Sequence, residues 1–387
     1  MREDASYIVF SILRSVFHGK PMCDGDKSQV TEAVLPRVLK LAEKHDIAHL
    51  IALGVGNNGL ADEVSASRLR QVTFRAVYRY EKLKYELQKA CEVLDAAQIP
   101  FIPLKGSVLR QYYPEPWMRT SCDIDILVRE PDLPTATRIL VEQLGYNEQE
   151  KGSHDVSLFA KSGFHVELHY DLVEDGLVNT SGQILRDVWN VVSPKKEHTA
   201  WREMPDALFY FYHVAHMAKH LHNGGCGIRP FLDLWILDNL PEADKAGREA
   251  LLRKGELLQF ARTASHLSRV WLDCEPADAV TNKLERYILQ GGVYGTNENR
   301  IAVQQQKKGG RLQYALWKIV IPYDTIKFHY PVLQRHRWLT PVMQVRRWCK
   351  LVFCGHAKRT LWELSYNRNI SKSQGDEMKC FLREIGL

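Results

Sequence analysis

The residues best suited to chemistry in this 387-residue chain are Asp123 and Asp125, in the run Asp-Ile-Asp-Ile-Leu-Val. The run alternates with period two, so it reads as a strand. On a strand both carboxylates share one face, with Ile124 and Ile126 on the other. Two strand steps of roughly 3.3 Å put the two positions about 6.5 Å apart. Side chains so placed can converge on divalent cations. Hard oxygen ligands suit Mg2+, which keeps several waters and also binds substrate phosphates. A polar strand face exposed to water would carry the same pattern, so the pair needs partners.

Two segments supply them. Gly106 and Ser107 sit upstream, between the apolar run at residues 99–104 and a short helix over 108–113. Glycine lets the backbone approach a ligand closely, and a following helix N-terminus offers free N–H groups to phosphate oxygens. The Ser107 hydroxyl adds a donor; an ordinary helix cap is the alternative. Downstream, residues 164–171 alternate strictly, so His165, Glu167, His169 and Asp171 face one way. A carboxylate on this strand completes a three-acid cluster with Asp123 and Asp125. An exposed edge-strand face is the other reading for His165 and Asp171.

The elements that position these residues follow from periodicity. Residues 1–98 read as an N-terminal helical segment, with Leu35, Val38, Leu39 and Ala42, then Leu69, Val72, Ala76, Tyr80, Leu83 and Leu87, at helical spacing. Residues 99–175 form the core: a proline-bearing strand near a sheet edge, the 123–128 strand, and a helix over 133–144 closed by Gly145. A hairpin turning at Lys161-Ser162-Gly163 completes it. Residues 176–300 read as helices completing the cleft, strongest over 207–221 and 231–240, and residues 301–387 as a basic helical C-terminal region. The fold class expected is α+β, a small mixed sheet flanked by helical segments.

Composition narrows the class. The chain is 45% hydrophobic and 25% charged, which excludes wholesale disorder. No window approaches the ~18 apolar residues of a membrane span, and no signal peptide is evident, so a cytoplasmic protein is expected. Eight scattered cysteines without a Cys-x-x-Cys pair read as reduced thiols. From residue 301 onward, 16 Lys and Arg face 5 Asp and Glu. That excess suggests contact with a polyanion. There Arg335, Arg337, Arg346, Arg347, Lys350, Lys358 and Arg359 interleave with Trp338, Trp348 and Trp362. Such a mix can hold nucleic acid. A solvated basic face over a tryptophan-containing core is the simpler reading.

His213, His216 and His220 share one helix face at i, i+3, i+7, with His222 just beyond. Histidine is a common zinc ligand. No nearby cysteine or carboxylate completes a tetrahedral set, so a polar cleft wall or plain packing competes with that reading. Gly224-Gly225-Cys226-Gly227 is a flexible turn that delivers Arg229 ahead of Asp233, either into the cleft or into a surface salt bridge.

Taken in order, Leu104-Lys105-Gly106, Tyr113-Pro114, Arg119 followed by Asp123-Ile124-Asp125-Ile126-Leu127-Val128, and Val166-Glu167-Leu168-His169 resemble the nucleotidyltransferase core of the DNA polymerase β superfamily. They most resemble its little-characterised bacterial branch associated with polysaccharide-biosynthesis loci. A looser likeness runs through His213, His216, Gly227-Ile228-Arg229, Asp233 and residues 291–295. Lys105 stands where many relatives carry an apolar residue. The resemblance implies an Mg2+-dependent enzyme that moves a nucleoside monophosphate, AMP from ATP in the first instance, to a hydroxyl and releases pyrophosphate. It implies two Mg2+ ions on Asp123, Asp125 and Glu167, and a nucleoside triphosphate held by Lys105, Gly106, Ser107, Arg119 and Arg229. His169, His213, His216, His220 and Asp233 would line the cleft. The acceptor stays open among a small molecule, a sugar, a protein side chain and an RNA end. A non-catalytic nucleic-acid or protein-binding module on the same fold is the alternative, and a histidine-metal hydrolase built on residues 213–222 is a third.

Overall fold

The alternating runs become neighbouring strands. The computed structural model describes residues 5–152, 154–174, 177–293, 295–353, 357–369 and 372–387. Its sheet comprises β1 (Phe101–Pro103), β2 (Asp123–Val128), β3 (Asn147–Lys151), β4 (Asp155–Phe159) and β5 (His165–His169), in the order β1-β2-β5-β4-β3. β2 and β5 run parallel, and the other pairings are antiparallel. With helical segments at both ends, the chain has the expected α+β architecture.

Period two splits the sheet into an apolar and a polar face. Ile124, Ile126 and Val128 of β2, Val166 and Leu168 of β5, and Val156 and Leu158 of β4 are buried on one face. That face is covered by the helices Glu63–Ala96, through Leu83, Ala90 and Leu94, and Leu133–Leu144, through Ala136, Ile139 and Leu140. Gly145 closes the second helix with φ 67°, a left-handed conformation open to glycine. The opposite face carries the acids. There the helices Ala5–His18, Leu35–Lys44 and Ala48–Asn57 share one core with Asp206–Leu221, Arg229–Asp238 and Leu258–Leu272. Fully buried Trp271 stacks on Phe10 at 4.4 Å between ring centres.

Several expectations change. β1 does lie at an edge, as its prolines suggest, but the Phe101 N–H donates to the Ala200 carbonyl and the edge is covered. The segment beyond residue 180 is not uniformly helical. Ser193–Pro194 and Arg202–Glu203 form a two-strand ribbon beside β1. β5 lies between β2 and β4 rather than at an edge, and His165 there hydrogen-bonds the Ser157 hydroxyl at 2.8 Å. The strand at the other edge is β3, whose Asn-Glu-Gln-Glu-Lys lacks the apolar alternation that marks a strand. Charged residues on an edge discourage further pairing.

Among the described residues no helix is long and apolar enough to cross a membrane. The described cysteines are free thiols; Cys354 lies outside the described residues, as do the side chains of Lys358 and Arg359. The C-terminal tryptophans do not form a core. A cluster of Ile301, Ala302 and Tyr314 fills that role, and Trp338, Trp348 and Trp362 are exposed, Trp338 by 74%.

Candidate active site

Pairing of β2 with β5 sets Asp125 opposite Glu167 and Asp123 opposite His165. Adjacent strands lie about 4.8 Å apart, so side chains on the common face meet. His169 Nε2 lies 2.9 Å from Asp125 Oδ1 and 3.3 Å from Glu167 Oε2. Asp125, Glu167 and His169 each present a ligand atom within 4.8 Å of the others. Asp123, one face position along β2, lines the same cleft of about 340 Å³.

The electrostatics of this cluster call for a cation. Burial and the carboxylates of Asp125 and Glu167 push the Asp123 pKa up. Burial would raise Asp125 too, but Lys105 and His169 outweigh it and hold that carboxyl well below its ordinary range. Burial opposes charge on His169, yet hydrogen bonds to Asp125 and Glu167 lift it to about 9. Lys105 Nζ is 2.9 Å from Asp125 Oδ1 and 4.0 Å from Glu174 Oε1. The protein thus meets its own acids with an ammonium and an imidazolium. Carboxylate oxygens such as these fit a divalent metal, which would take over the charge that Lys105 and His169 supply, His169 joining as a ligand only once neutral.

The Gly106 bend lies against this cluster. Lys105 adopts φ 45°, uncommon for a non-glycine residue, and turns the chain into the short helix Gly106–Leu109. A Cβ on Gly106 would meet Ser121 Cβ at 3.1 Å. Ser107 lies outside the cleft lining, and its buried hydroxyl has no hydrogen-bond partner. Ser121 lines the cleft instead; its hydroxyl accepts from Arg110 Nη2 at 2.8 Å and donates to the Asp123 carbonyl at 3.2 Å.

The two arginines expected at phosphates reach the cleft already paired. Arg119 Nε donates to Asp233 Oδ1 at 2.6 Å, and the Tyr113 hydroxyl donates to the same oxygen at 2.6 Å. Asp233 is fully buried; burial would raise its pKa, but Arg119 and His213 pull it below its ordinary value. Arg229 Nη1 donates to Asp46 Oδ2.

The histidines form the opposite wall. His213 bonds the Pro230 carbonyl at 3.1 Å, and His216 and His220 approach at 3.2 Å between Nε2 atoms. Burial pushes His216 well below its ordinary value and His220 down to about 4, so both are neutral at pH 7. All three line the cleft, whereas His222 does not. Among the described residues the group of three potential metal ligands is Asp125, Glu167 and His169, and it includes none of these histidines.

Sequence reading missed several cleft residues. Glu174 sits between Lys105 and Lys219, which outweigh burial and hold it down at about 2. Lys219, nine-tenths buried, stands out as a lone lysine in the apolar run at residues 207–221; that was its signal. Tyr212, whose buried hydroxyl has no partner, lies on the same helix. Asp46, which holds the cleft residue Arg229 from outside the lining, carries no sequence signal, because that partner is remote in the chain.

Neither a curated protein nor a solved structure matches the chain. A family model described as an uncharacterised nucleotidyltransferase matches residues 32–273, spanning the sheet, the cleft and both of its walls. A match over more than half the sequence, on a chain whose acids gather beside a glycine bend, settles its membership: the protein is an enzyme of the uncharacterised nucleotidyltransferase family.

Proposed function

We propose that this transferase moves a nucleoside monophosphate, AMP from ATP in the first instance, to a hydroxyl acceptor. The new bond joins the acceptor oxygen to the α-phosphorus, the α–β phosphoanhydride breaks, and pyrophosphate leaves. Asp123, Asp125 and Glu167 would hold two Mg2+ ions. Bound cations supply charge stabilisation for the attacking and leaving oxygens of such an in-line displacement. Gly106, which lines the cleft, gives the triphosphate close approach to the backbone, whereas Ser107 stands outside the lining and takes no part. Lys105 adds positive charge around the phosphates, while Arg119 and Arg229, paired with Asp233 and Asp46, hold the cleft wall. His169, His213, His216, His220 and Asp233 keep the acids and the cleft wall in place.

This reading is supported by Asp125 standing opposite Glu167 on neighbouring strands, with Asp123 one face position along, in a cleft lined also by Lys105 and Gly106. A sugar hydroxyl is the acceptor to try first, given the polysaccharide-associated branch the motifs resemble; small molecules, protein side chains and RNA ends follow. Incubation with each α-labelled triphosphate, with and without Mg2+, should give labelled product and pyrophosphate. Asp123→Asn should abolish both while leaving the circular dichroism spectrum unchanged; transfer retained in that variant would overturn the assignment.

A further inference from the structure

Among the described residues, more than half of the large apolar side chains left exposed fall between positions 312 and 362. They are ordered by the helical period. The helix Arg311–Ile319 presents Leu312, Leu316 and Ile319 at i, i+4, i+7, with Leu312 75% and Leu316 63% exposed. The helix Thr340–Phe353 presents Val342, Val345 and Phe353 on one face, with Phe353 85% exposed. Their inward sides are occupied, since Tyr314 and Gln344 are buried. The two helices adjoin through the side away from Val342, Val345 and Phe353: Trp348 Nε1 donates to the Ile319 carbonyl at 2.8 Å, and Arg347 donates to the carbonyls of Ile319 and Lys318 at 3.1 and 3.0 Å, which leaves both stripes uncovered.

Positive charge accompanies these stripes. Arg335, Arg346 and Lys350 are exposed and make no ion pair among the described residues. The region from residue 301 onward carries 16 bases against 5 acids. Exposed apolar stripes with the unpaired bases Arg346 and Lys350 on the same helix mark an interaction site.

We propose that this face docks on the headgroup–acyl boundary of an anionic lipid bilayer. A nucleic acid would be met by stacking rings and would leave the five aliphatic side chains of the stripes in water, whereas acyl chains take them up. Tryptophan suits that boundary, which accounts for exposed Trp338 and Trp348. Arginine and lysine beside the stripe extend their stems along the apolar layer and keep their charge among the headgroups. Both helices are far shorter than a membrane span, so they lie in the interface plane. The surface lies outside residues 32–273, so the inference stands independently of the transfer reaction.

The test is flotation of the full chain with vesicles of equal phosphatidylglycerol and phosphatidylcholine, against vesicles of phosphatidylcholine alone. Binding is expected to the anionic vesicles only, and to fall as salt rises. Leu312→Ser/Leu316→Ser/Phe353→Ser should weaken it more than tenfold with an unchanged circular dichroism spectrum. Arg346→Gln/Lys350→Gln should weaken it about fivefold per base. No flotation, or flotation unaffected by the serine substitutions, overturns the proposal. So does a concentration-dependent dimer that those substitutions abolish, which would assign the face to a second copy. Salt-sensitive binding of a labelled oligonucleotide lost in the same variant would overturn it in favour of nucleic acid.

Discussion

Replacing Arg119 with leucine separates a structural from a phosphate-binding role. The Asp233 side chain is 0% exposed and Arg119 only 9%, so the pair sits away from solvent screening. Without the guanidinium, Asp233 Oδ1 keeps only the Tyr113 hydroxyl, and Oδ2 has no hydrogen-bond partner even in the intact protein. Breaking a buried ion pair from one side costs about 3–5 kcal/mol. The surviving hydrogen bond points to the lower part of that range, about 3 kcal/mol. With a urea m-value of about 3 kcal/mol/M or more for a chain this long, the midpoint should fall by about 1 M or less. Tryptophan fluorescence during urea unfolding reads this directly. Arg119→Leu/Asp233→Leu removes both charges and should recover to within about 1 kcal/mol of the parent. The pH dependence has a definite sign. In the parent, Asp233 is held below its ordinary pKa, so the pair stabilises above about pH 4 and its contribution is lost as pH falls further. In Arg119→Leu the carboxyl pKa rises instead. The deficit should therefore be greatest at neutral pH and shrink on acidification. A single-variant cost under about 1 kcal/mol, or a double variant no better than the single, would refute the structural assignment.

Three further outcomes follow from the site. Lys105→Met removes the ammonium 2.9 Å from Asp125; Mn2+ titration of the nucleotide-free protein by electron paramagnetic resonance should show tighter binding, and weaker binding would mean the lysine does not compete for that carboxylate. Gly106→Val places a branched side chain where even a Cβ meets Ser121 at 3.1 Å; nucleotide-induced thermal stabilisation should drop, and an unchanged shift would remove the bend from the site. His45 is fully buried, and burial beside Lys44 holds it at about 4. The unfolded chain therefore takes up a proton that the folded protein refuses, and His45 alone should cost about 2 kcal/mol of stability between pH 6.5 and 5, beside the losses from buried His216 and His220. Urea unfolding of His45→Leu should lack that loss.

Much of the fold was legible because its signals are local. Alternation over residues 123–128 and 164–171 announced β2 and β5, and Gly145 announced a helix end. The ribbon at 193–203 and the polar edge strand β3 were not legible. Both are short, neither repeats an apolar period, and both are held by neighbours remote in sequence. Ser107 shows the same limit from the other side: a serine after a glycine reads as a ligand donor, yet tertiary packing gives the cleft to Ser121 instead. The C-terminal tryptophans read as core because apolar residues are usually buried, and a cluster built on Tyr314 displaced them.

The amino-acid order alone determined which faces would be acidic and which apolar, since a period of two requires no knowledge of what packs against the strand. It therefore determined that Asp123, Asp125 and Glu167 could meet. Tertiary structure decided who answers their charge. Lys105 and His169 reach Asp125, Glu174 bridges Lys105 and Lys219, and Asp233 removes Arg119 from the pool of free cations. Those pairings join positions from 20 to more than 100 residues apart. Electrostatic partners are set by distance in space, on which spacing along the chain is silent until the helices have packed.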